Sequence, residues 1–474
     1  MKPFTMKRSV LYSLKVIVPA FFLFSCSRNS EVSFASSSTV VPAPTPAVLN
    51  SVAFTGNSNS SSALSLRLVS GGIYTLTGTC DISLGAVLIG GNGIGNAATV
   101  NDPTTYSTPC LTDGTFTVVI NGTCGAAPCM NNYGREVAAF QSGGTYSTTR
   151  IYLNLGTIVT TAAQLQAAFG TSGFVTLAND IDLSSIANWT PIDSSSNNYF
   201  LQGDGHTISN LTINAGSSSN VGFFSQGTTA THVKNIYFTN ASVTSSGDAV
   251  GGVMGYANHS HFLNVSFSGT VNGGNQVGGI IGFQNNGSTA FFKDCSAAGT
   301  ITATGVDAGG LIGVGFDLSP IRSFSTANIS GSDFVGGLIG RGFSQLGAVP
   351  SIRDSASTGS VTCTANSCLA AGLIADLYGI SLKHSNILRS YFSGSVHAPA
   401  SGVTDALVAA KDTYTDVTSS YYLQGLTCNQ CVLTNGSALS SAQMKSSASY
   451  VSWDFATPTW VNQTNGITLP QPKR

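Results

Sequence analysis

A six-residue phrase returns four times between residues 250 and 340 of this 474-residue chain. Successive copies, counting a weaker fifth one, begin 27, 31, 27 and 35 residues apart. Internal repeats with periods of about 20 to 50 residues are typical of stacked units rather than of one globular core. The spacing therefore predicts a solenoid. The copies read VGGVMG from Val250, VGGIIG from Val277, AGGLIG from Ala308, VGGLIG from Val335 and AAGLIA from Ala370.

A second motif falls midway through each cycle and always ends in Val or Ile. Its runs are short and β-type, they are separated by Gly, Asn, Asp and Ser, and no long helical period interrupts them. No such unit buries its apolar side chains alone, so neighbouring units must stack through parallel strands about 4.8 Å apart. The pattern predicts an all-β chain with a parallel β-helix of seven or eight turns. The final residues of the motif are Val271, Ile301, Ile329, Val361 and Val396.

A glycine pair occupies the second and third positions of each of the four clear phrases. We expect a structural role, because side chains must be small where a narrow coil turns and because some turns need positive φ. Asp248, Asn275 and Asp333 stand two residues before three of the phrases and are expected to form turns, with Val306 as the exception. The repeat glycines are Gly251, Gly252, Gly278, Gly279, Gly309, Gly310, Gly336 and Gly337.

These phrases resemble the GLUG-motif repeats of bacterial surface proteins, a family named for a GGLxG phrase. The similarity covers roughly residues 160 to 474. It implies a right-handed β-helix displayed at a cell surface, often in adhesin-like proteins, and it implies no catalytic activity. Segments similar to the family's lead-in begin at Thr161 (TAAQLQAAF), Leu177 and Phe200, and segments similar to its finish begin at Ser419, Leu439 and Thr459.

The N-terminus has the pattern of an export signal. Residues 1–25 carry four basic residues and no acid, followed by the apolar run VIVPAFFLF, which is too short to span a bilayer. The segment LFSC resembles a lipobox and predicts lipidation of Cys26, and an ordinary signal peptide with an incidental cysteine is the alternative. The Ser/Thr/Pro-rich residues up to 50 are expected to form a tether, and Ser27 is compatible with delivery to an outer membrane.

Residues 51–155 contain strand-like runs at a spacing that suits a small, immunoglobulin-like β-sandwich. An exported chain meets an oxidising compartment, which favours disulfides. We predict Cys80–Cys110 and Cys124–Cys129 bridges, although four cysteines allow three pairings.

The remaining cysteines lie in the β-helix, which is predicted to occupy residues 156–474 with a cap at each end. Cys363 with Cys368 and Cys428 with Cys431 are close enough in sequence to bridge locally. We interpret Cys428 and Cys431 as a loop staple rather than a redox or zinc motif, because no second pair or neighbouring His is present. Cys295 occupies a repeat position that holds Val or Ser elsewhere, which indicates a small buried residue rather than a reactive thiol or metal ligand.

Charge argues against nucleic-acid binding. Charged residues make up 8% of the chain, and the signal carries four of its 19 basic residues and none of its 20 acidic ones. The mature chain is therefore acidic and offers phosphates little attraction. Its exposed ladders must consist mainly of Ser, Thr, Asn and Gly, which suit hydrogen bonding to sugars or to another protein.

A polysaccharide-cleaving β-helix enzyme is one alternative. The only glutamates, Glu31 and Glu136, precede the repeats, which excludes a Glu pair or an HExxH metal site there. The aspartates appear singly at positions typical of turns, so we predict that the protein is not an enzyme. Three acids converging beside a Lys or Arg would favour the enzyme instead. The candidate aspartates are Asp180, Asp182, Asp204, Asp248, Asp307 and Asp333.

His259 and His261 are close enough to share a metal, but an exposed loop pair is the preferred interpretation, and His206 is interpreted as structural. No metal or cofactor is predicted, and the oligomeric state is left open. The sequence thus predicts an exported, lipid-anchored binding or adhesion protein that contacts a glycan or a protein on another surface. A structural spacer of the cell envelope without a ligand is the second alternative.

Overall fold

A computed structural model gives the fold of the chain. The predicted signal peptide, Cys26 and nearly all of the tether lie outside the described residues, as do Cys124 and Cys129. The structure describes residues 48–55, 65–67, 72–91, 106–122, 135–141, 151–154, 157–169, 173–195, 199–227, 231–285, 292–317, 319–344, 350–379, 384–429, 431–455, 460–461 and 469–472.

The N-terminal part of the chain forms two small sheets. Its strands are β1 (Val48–Thr55), β2 (Ser65–Arg67), β3 (Gly72–Thr79), β4 (Val87–Gly91), β5 (Tyr106–Thr108), β6 (Thr115–Gly122), β7 (Arg135–Gln141) and β8 (Ile151–Asn154), with a 3-10 turn at Ile82–Leu84. One sheet has the order β1-β3-β6 and is antiparallel, and the other has the order β2-β8-β7-β4-β5. Two sheets are what a sandwich requires, and the immunoglobulin-like topology stays a prediction.

The chain from residue 157 onward forms a parallel β-solenoid of about eight turns, as the repeats predict. Its strands are β9 (Thr157–Val159), β10 (Phe174–Leu177), β11 (Ile181–Asp182), β12 (Phe200–Gln202), β13 (Thr207–Ser209), β14 (Thr212–Asn214), β15 (Phe224–Gly227), β16 (His232–Thr244), β17 (Val250–Gly251), β18 (Met254–Asn258), β19 (His261–Gly273), β20 (Val277–Gly278), β21 (Ile281–Asn285), β22 (Phe292–Lys293), β23 (Ser296–Ala303), β24 (Asp307–Gly309), β25 (Ile312–Phe316), β26 (Pro320–Ile321), β27 (Phe324–Ser325), β28 (Asn328–Gly331), β29 (Phe334–Gly336), β30 (Ile339–Phe343), β31 (Ser351–Arg353), β32 (Ala356–Ser357), β33 (Ser360–Cys363), β34 (Leu369–Ala371), β35 (Ile374–Tyr378), β36 (Ser385–Leu388), β37 (Tyr391–Phe392), β38 (Ser395–His397), β39 (Val403–Asp405), β40 (Val408–Lys411), β41 (Thr415–Thr418), β42 (Tyr421–Leu423) and β43 (Ser437–Leu439).

Each solenoid strand pairs in parallel with its equivalent one turn later. One sheet has the order β15-β18-β21-β25-β30-β35-β40, a second has the order β17-β20-β24-β29-β34-β39, and the other strands form a third. The repeat phrases stack in register, since Val250 pairs with Val277, Val277 with Ala308, and Ala308 with Val335. The final residues of the second motif also stack and are fully buried. One repeat therefore equals one turn.

The repeat glycines are required by close backbone approach. A Cβ on Gly337 would overlap the carbonyl oxygen of Gly372 on the next turn and would lie 2.6 Å from Ser357 Oγ. None of these eight glycines has positive φ, so that part of the expectation is wrong. Positive φ occurs instead at Ala249 (55°) and Gln276 (56°), directly before two of the phrases.

One corner of the solenoid bends at a left-handed residue on successive turns. The Asn235 carboxamide accepts a hydrogen bond of 3.2 Å from Asn264 Nδ2 on the next turn. Further along, Arg322 binds Asp294 through two hydrogen bonds of 2.6 Å, so the column changes from paired amides to paired charges. The corner residues, with φ between 47° and 57°, are Asn235, Asn264, Asp294, Arg322, Asp354, Arg389 and Ser419.

The residue after each later corner is small, polar and buried. Ser355 Oγ donates to the carbonyl of Arg353 (2.7 Å) and accepts from the Ser323 N–H on the preceding turn (3.1 Å). Cys295 takes the first place in this row, with its Sγ 3.2 Å from the Lys293 carbonyl oxygen. This position agrees with its interpretation as a small buried residue. The other members are Ser390 and Ser420.

Two segments lie where the caps are predicted, and they pack on the solenoid differently. Helix α1 (Ala162–Ala168) is N-capped by Thr161 and buries Leu165 and Ala168 in the solenoid core. After β43, helix α2 (Ser441–Met444), a 3-10 turn at Ser447–Ser449 and the antiparallel pair β44 (Trp460–Val461) and β45 (Gln471–Pro472) follow. The apolar side chains of this segment pack against Tyr391 and Tyr421, outside the core, so it covers the side of the last turns.

Candidate functional site

Five aromatic side chains form a line across successive strands of one solenoid sheet. We call Tyr256, Phe283, Phe316, Phe343 and Tyr378 the aromatic ladder. Their ring centroids are separated by 5.4, 5.7, 5.2 and 5.9 Å in that order. The members lie on β18, β21, β25, β30 and β35, so the ladder crosses five successive turns. It shifts by two residues between Phe283, which pairs with Val314, and Phe316.

The ladder lies on the outer face of this sheet. Side chains alternate between the two faces of a strand, and the neighbours Ala257 and Leu377 are buried in the core. Tyr256 and Phe283 occupy paired positions, as do Phe343 and Tyr378. The first four rings are partly exposed, and Tyr378 is 42% exposed. The result is an apolar strip that solvent reaches.

Amide side chains accompany the first rungs of the ladder. Gln226 pairs with Tyr256, and Asn258 pairs with Asn285 on the next strand. All three are partly exposed. Their donors and acceptors therefore border the apolar strip on its N-terminal half.

Arg341 marks the middle of the same outer face. Its guanidinium donates to both carboxylate oxygens of Asp307 (2.5 and 2.7 Å) and lies over the rings of Phe334 and Phe343, 4.4 and 5.5 Å from their centroids. Asp307 is 1% exposed, and burial raises its pKa against the opposing effect of Arg341. The sequence placed Asp307 among turn formers, and this is wrong, because it lies within β24 and balances a cation.

Asp376 pairs in register with Arg341 on the next turn. Burial raises its pKa to about 6, the Arg341 charge opposes the rise, and the charges of Asp307 and Asp412 add to it. Its Oδ1 atom is buried and accepts no hydrogen bond from the residues that the structure describes. The Asp376 charge in turn raises the pKa of Tyr378.

Exposed polar aromatics adjoin the last rung. A side chain on Gly379, directly after Tyr378, would lie 3.1 Å from the Tyr414 Cβ, so Tyr414 lies beside the end of the ladder. The His384 ring lies 5.8 Å from the Tyr414 ring, and its Nδ1 is 2.9 Å from Asp416 Oδ2. Hydroxyl, imidazole and carboxylate groups therefore cluster at the end of the ladder.

A shallow cavity of about 330 Å³ opens near the start of the solenoid and is a weaker candidate. The Asn188 carboxamide is already engaged by the Asn214 backbone, since its Nδ2 donates to the Asn214 carbonyl (3.2 Å) and its Oδ1 accepts from the Asn214 N–H (2.7 Å). Its one large aromatic residue, Trp189, is 1% exposed. The cavity thus exposes no large aromatic side chain, unlike the ladder.

Several of the other predicted aspartates act as turn residues. Asp180 accepts from the Thr207 N–H (2.9 Å) and Asp182 from the Ser184 N–H (2.8 Å). Asp248 accepts from both the N–H and the side chain of Asn275 one turn later (3.2 and 2.8 Å). Asp204 bends the chain at φ 55°, and Asp333 lies just before β29.

His259 and His261 do not lie in one loop, because His261 begins β19. The buried His261 ring stacks on His232 of the preceding turn, with centroids 4.4 Å apart, which contradicts the expectation of an exposed pair. Burial lowers the pKa of His261 to about 3 and also lowers that of His232. His206 lies 3.3 Å from Asp180 on an exposed turn. Within the described ranges, no group of three or more His, Cys, Asp or Glu side chains is arranged to hold a metal.

The cysteines of the described residues pair as predicted. Disulfides join Cys80 to Cys110, Cys363 to Cys368 and Cys428 to Cys431. Since disulfides persist in oxidising compartments, they indicate an exported protein. No described helix is both long enough and apolar enough to cross a membrane.

The sequence interpretation missed the ladder, although a signal was present. An aromatic residue follows every phrase. It comes directly after the phrase in VGGVMGY and VGGIIGF, and after two intervening residues in AGGLIGVGF, VGGLIGRGF and AAGLIADLY. Because β-strand side chains alternate, both offsets point to the same face. The aromatic residue that recurs after each phrase could therefore have predicted a row of rings on one face of the sheet.

The comparisons with known proteins leave the family open. No family model matches the chain. Over 102 residues, 22% of its length, the chain is 40% identical to halomucin from Haloquadratum walsbyi, and it spans only about 1% of that protein's length.

Two solved structures resemble the fold. One is a Bacteroides ovatus protein provisionally described as an immunoglobulin A1 protease, with a TM-score of 0.44 and 19% identity over 67% of this chain and 92% of the other. The second is described as an IgA1 protease, with a TM-score of 0.35 and 13% identity over 77% of this chain and 26% of the other. Similarity at this level bears on neither the activity nor the ligands of this chain.

Proposed function

We propose that this chain is an exported, lipid-anchored surface protein whose solenoid binds a glycan or a protein on another surface, in the manner of an adhesin. The observation that carries the proposal is the partly exposed aromatic ladder. Large apolar strips that remain exposed on a folded protein are characteristic of interaction sites. The ladder is also continuous over five turns, as an extended contact requires.

The features around the solenoid support a surface location. The N-terminal signal, the lipobox at Cys26 and the tether up to residue 50 supply export, an anchor and distance from the membrane. The phrase pattern supports membership of the GLUG-motif family. The disulfides suit an oxidising exterior. No nucleic-acid partner is proposed, because the mature chain is acidic.

The test compares a ladder variant with a control variant. The ladder variant carries Phe316→Leu, Phe343→Leu and Tyr378→Leu, which keep apolar volume but remove three rings. The control variant carries Val432→Ser and Val451→Ser, which change exposed apolar residues outside the ladder. Both full-length proteins are coupled to beads and applied to a glycan array and to a panel of cell surfaces.

We expect the wild-type protein and the control variant to bind and the ladder variant to lose binding. Circular dichroism and melting curves confirm that both variants fold. A ladder variant that still binds as the wild type does would refute the ladder as the contact surface. A blank result for the wild type on every surface would favour the envelope spacer.

A polysaccharide-cleaving enzyme is the second candidate function. The raised pKa of Asp376, close to the carboxylate of Asp307, favours it. A carboxylic acid with a raised pKa beside a second carboxylate is the arrangement used for general acid catalysis of glycoside cleavage. Asp307, however, gives both oxygens to Arg341, which leaves it unsuited to act as a base. Release of reducing ends from polysaccharides, abolished by Asp376→Asn but not by Asp416→Asn, would support the enzyme.

A further inference from the structure

We infer that the aromatic ladder binds one extended, uncharged polysaccharide chain that lies parallel to the solenoid axis, an inference that rests on the proposed binding function. The ladder advances one ring per turn, so its five rings span roughly 19 Å at the usual strand spacing of about 4.8 Å. A ligand that uses all five rings must itself be long, narrow and repetitive. A polysaccharide chain meets these three conditions.

Two of the four neighbouring ring pairs of the ladder are stacked, and the other two are tilted. The centroid separations of 5.2 to 5.9 Å exceed the strand spacing, and Phe316 is tilted by 55° against Phe283 and by 30° against Phe343, so neighbouring rings do not cover one another completely. Pyranose rings carry C–H groups on their faces and hydroxyl oxygens at their rims. The C–H groups pack on exposed ring faces, and the oxygens meet the positive edges of the aromatic rings.

The charges on this face favour an uncharged ligand. In register along the sheet, Arg341 and Asp376 are the charged members of the outer positions from β15 to β35 in the described strands, and they have opposite signs. Asp307 already neutralises Arg341, so a polyanion finds no available cation there. A neutral chain avoids the desolvation cost that a charged ligand would meet.

Two carboxylates near the end of the ladder, Asp412 and Asp416, are also engaged. Asp416 contacts His384, and Asp412 accepts from the Tyr414 N–H (3.0 Å) and the Thr415 hydroxyl (2.8 Å). A polycation therefore gains little from them. Sugar hydroxyls, by contrast, donate and accept at once, and they suit the mixture of Tyr378, Tyr414 and His384 at this end.

The experiment measures binding of the full-length protein to three neutral polymers, a soluble β-1,4-glucan, a β-1,4-mannan and dextran. Alginate serves as a polyanion and chitosan as a polycation. Affinity electrophoresis gives the dissociation constant for each polymer, and titration calorimetry compares the hexasaccharide with the disaccharide of any polymer that binds.

We expect at least one neutral polymer to bind more tightly than both charged ones and its hexasaccharide to bind at least about tenfold more tightly than the disaccharide. The affinity of the ladder variant should be about tenfold lower, because the loss of each ring removes a stacking contact with the polysaccharide. The control variant should keep wild-type affinity. Equal binding of hexasaccharide and disaccharide, preference for a charged polymer, or no binding to any neutral polymer would overturn the inference.

This failure is separable from failure of the proposed function. If the ladder variant loses cell-surface binding while all neutral polymers fail to bind, the ladder contacts a protein and only the polysaccharide inference falls. If cell-surface binding persists in the ladder variant and the polymers do not bind, both the site and its ligand class are wrong.

Discussion

Arg389 and Asp354 occupy the same corner of neighbouring turns and join through two parallel hydrogen bonds, Nε to Oδ1 at 2.5 Å and Nη2 to Oδ2 at 2.8 Å. Both residues have a left-handed backbone conformation, with φ of 47° for Arg389 and 50° for Asp354. The Asp354 side chain is 8% exposed, and Trp460 Nε1 lies 3.4 Å from its Oδ1. The pair therefore ties one turn to the next beneath the C-terminal segment.

Replacing Arg389 by Leu should lower the free energy of unfolding by about 2 kcal/mol or more, because Asp354 would stay buried without its cation. Urea denaturation followed by circular dichroism measures the loss. Asp416→Asn is the matched control, since it breaks the exposed contact with His384 and should cost less than about 1 kcal/mol. Equal losses in the two variants would contradict the structural role of the corner pair.

Gly337→Ala should destabilise the solenoid, because its new methyl group would overlap the Gly372 carbonyl oxygen. Overpacking against backbone costs about 1–3 kcal/mol or more. Gly342→Ala on the same turn is the control, since its nearest neighbours are the flexible ends of Ile374 and Leu377 at 3.1 Å. Thermal melting should show a clear drop for Gly337→Ala and a small change for Gly342→Ala. The reverse order would show that close approach does not explain the phrase.

Asp376 should make the protein less stable as the pH rises. Its pKa is about 6 in the folded chain and 3.8 in the reference state, so the folded chain holds the proton more tightly. The stability present below about pH 4 is therefore lost as the pH rises through about 6. Burial also raises the pKa of Asp307 and Asp405, and these residues act in the same direction.

Asp376→Asn isolates this effect from the other carboxylates. The variant should be more stable than the wild type at pH 7.5 and differ little from it at pH 4, because only the ionised form of Asp376 is costly. The full pKa shift corresponds to roughly 3 kcal/mol, and solvent screening should reduce the observed gain to roughly 2 kcal/mol. Denaturation curves at both pH values provide the measurement. A stability difference that does not change with pH would show that Asp376 titrates normally.

Cys26→Ser should abolish fatty-acid labelling and release the protein from the membrane fraction. Metabolic labelling with a palmitate analogue, followed by fractionation, tests this prediction. Cys295→Ser is the control, since Cys295 is buried in a row of serines and its replacement should leave labelling intact. Labelling that persists in Cys26→Ser would mean that the anchor lies elsewhere or that the signal is an ordinary one.

The sequence predicted the solenoid that carries the site, but it did not predict the site itself. The period of the GG phrase led directly to the solenoid and to the register of Val250 on Val277. The aromatic residue after each phrase was visible, but its offset changes between Phe283 and Phe316. Whether such rings meet depends on strand register, which a list of spacings does not contain.

Local chemistry determined the repeat period, the small residues at the turns and the pairing of nearby cysteines, because each depends on neighbours in sequence or on one residue per turn. Tertiary structure alone decided that Asp307 faces Arg341, that His261 stacks on His232 and that Asp354 meets Arg389. These partners are separated by 34, 29 and 35 residues. The physical reason is that stacking brings side chains together across turns, and the turns differ in length.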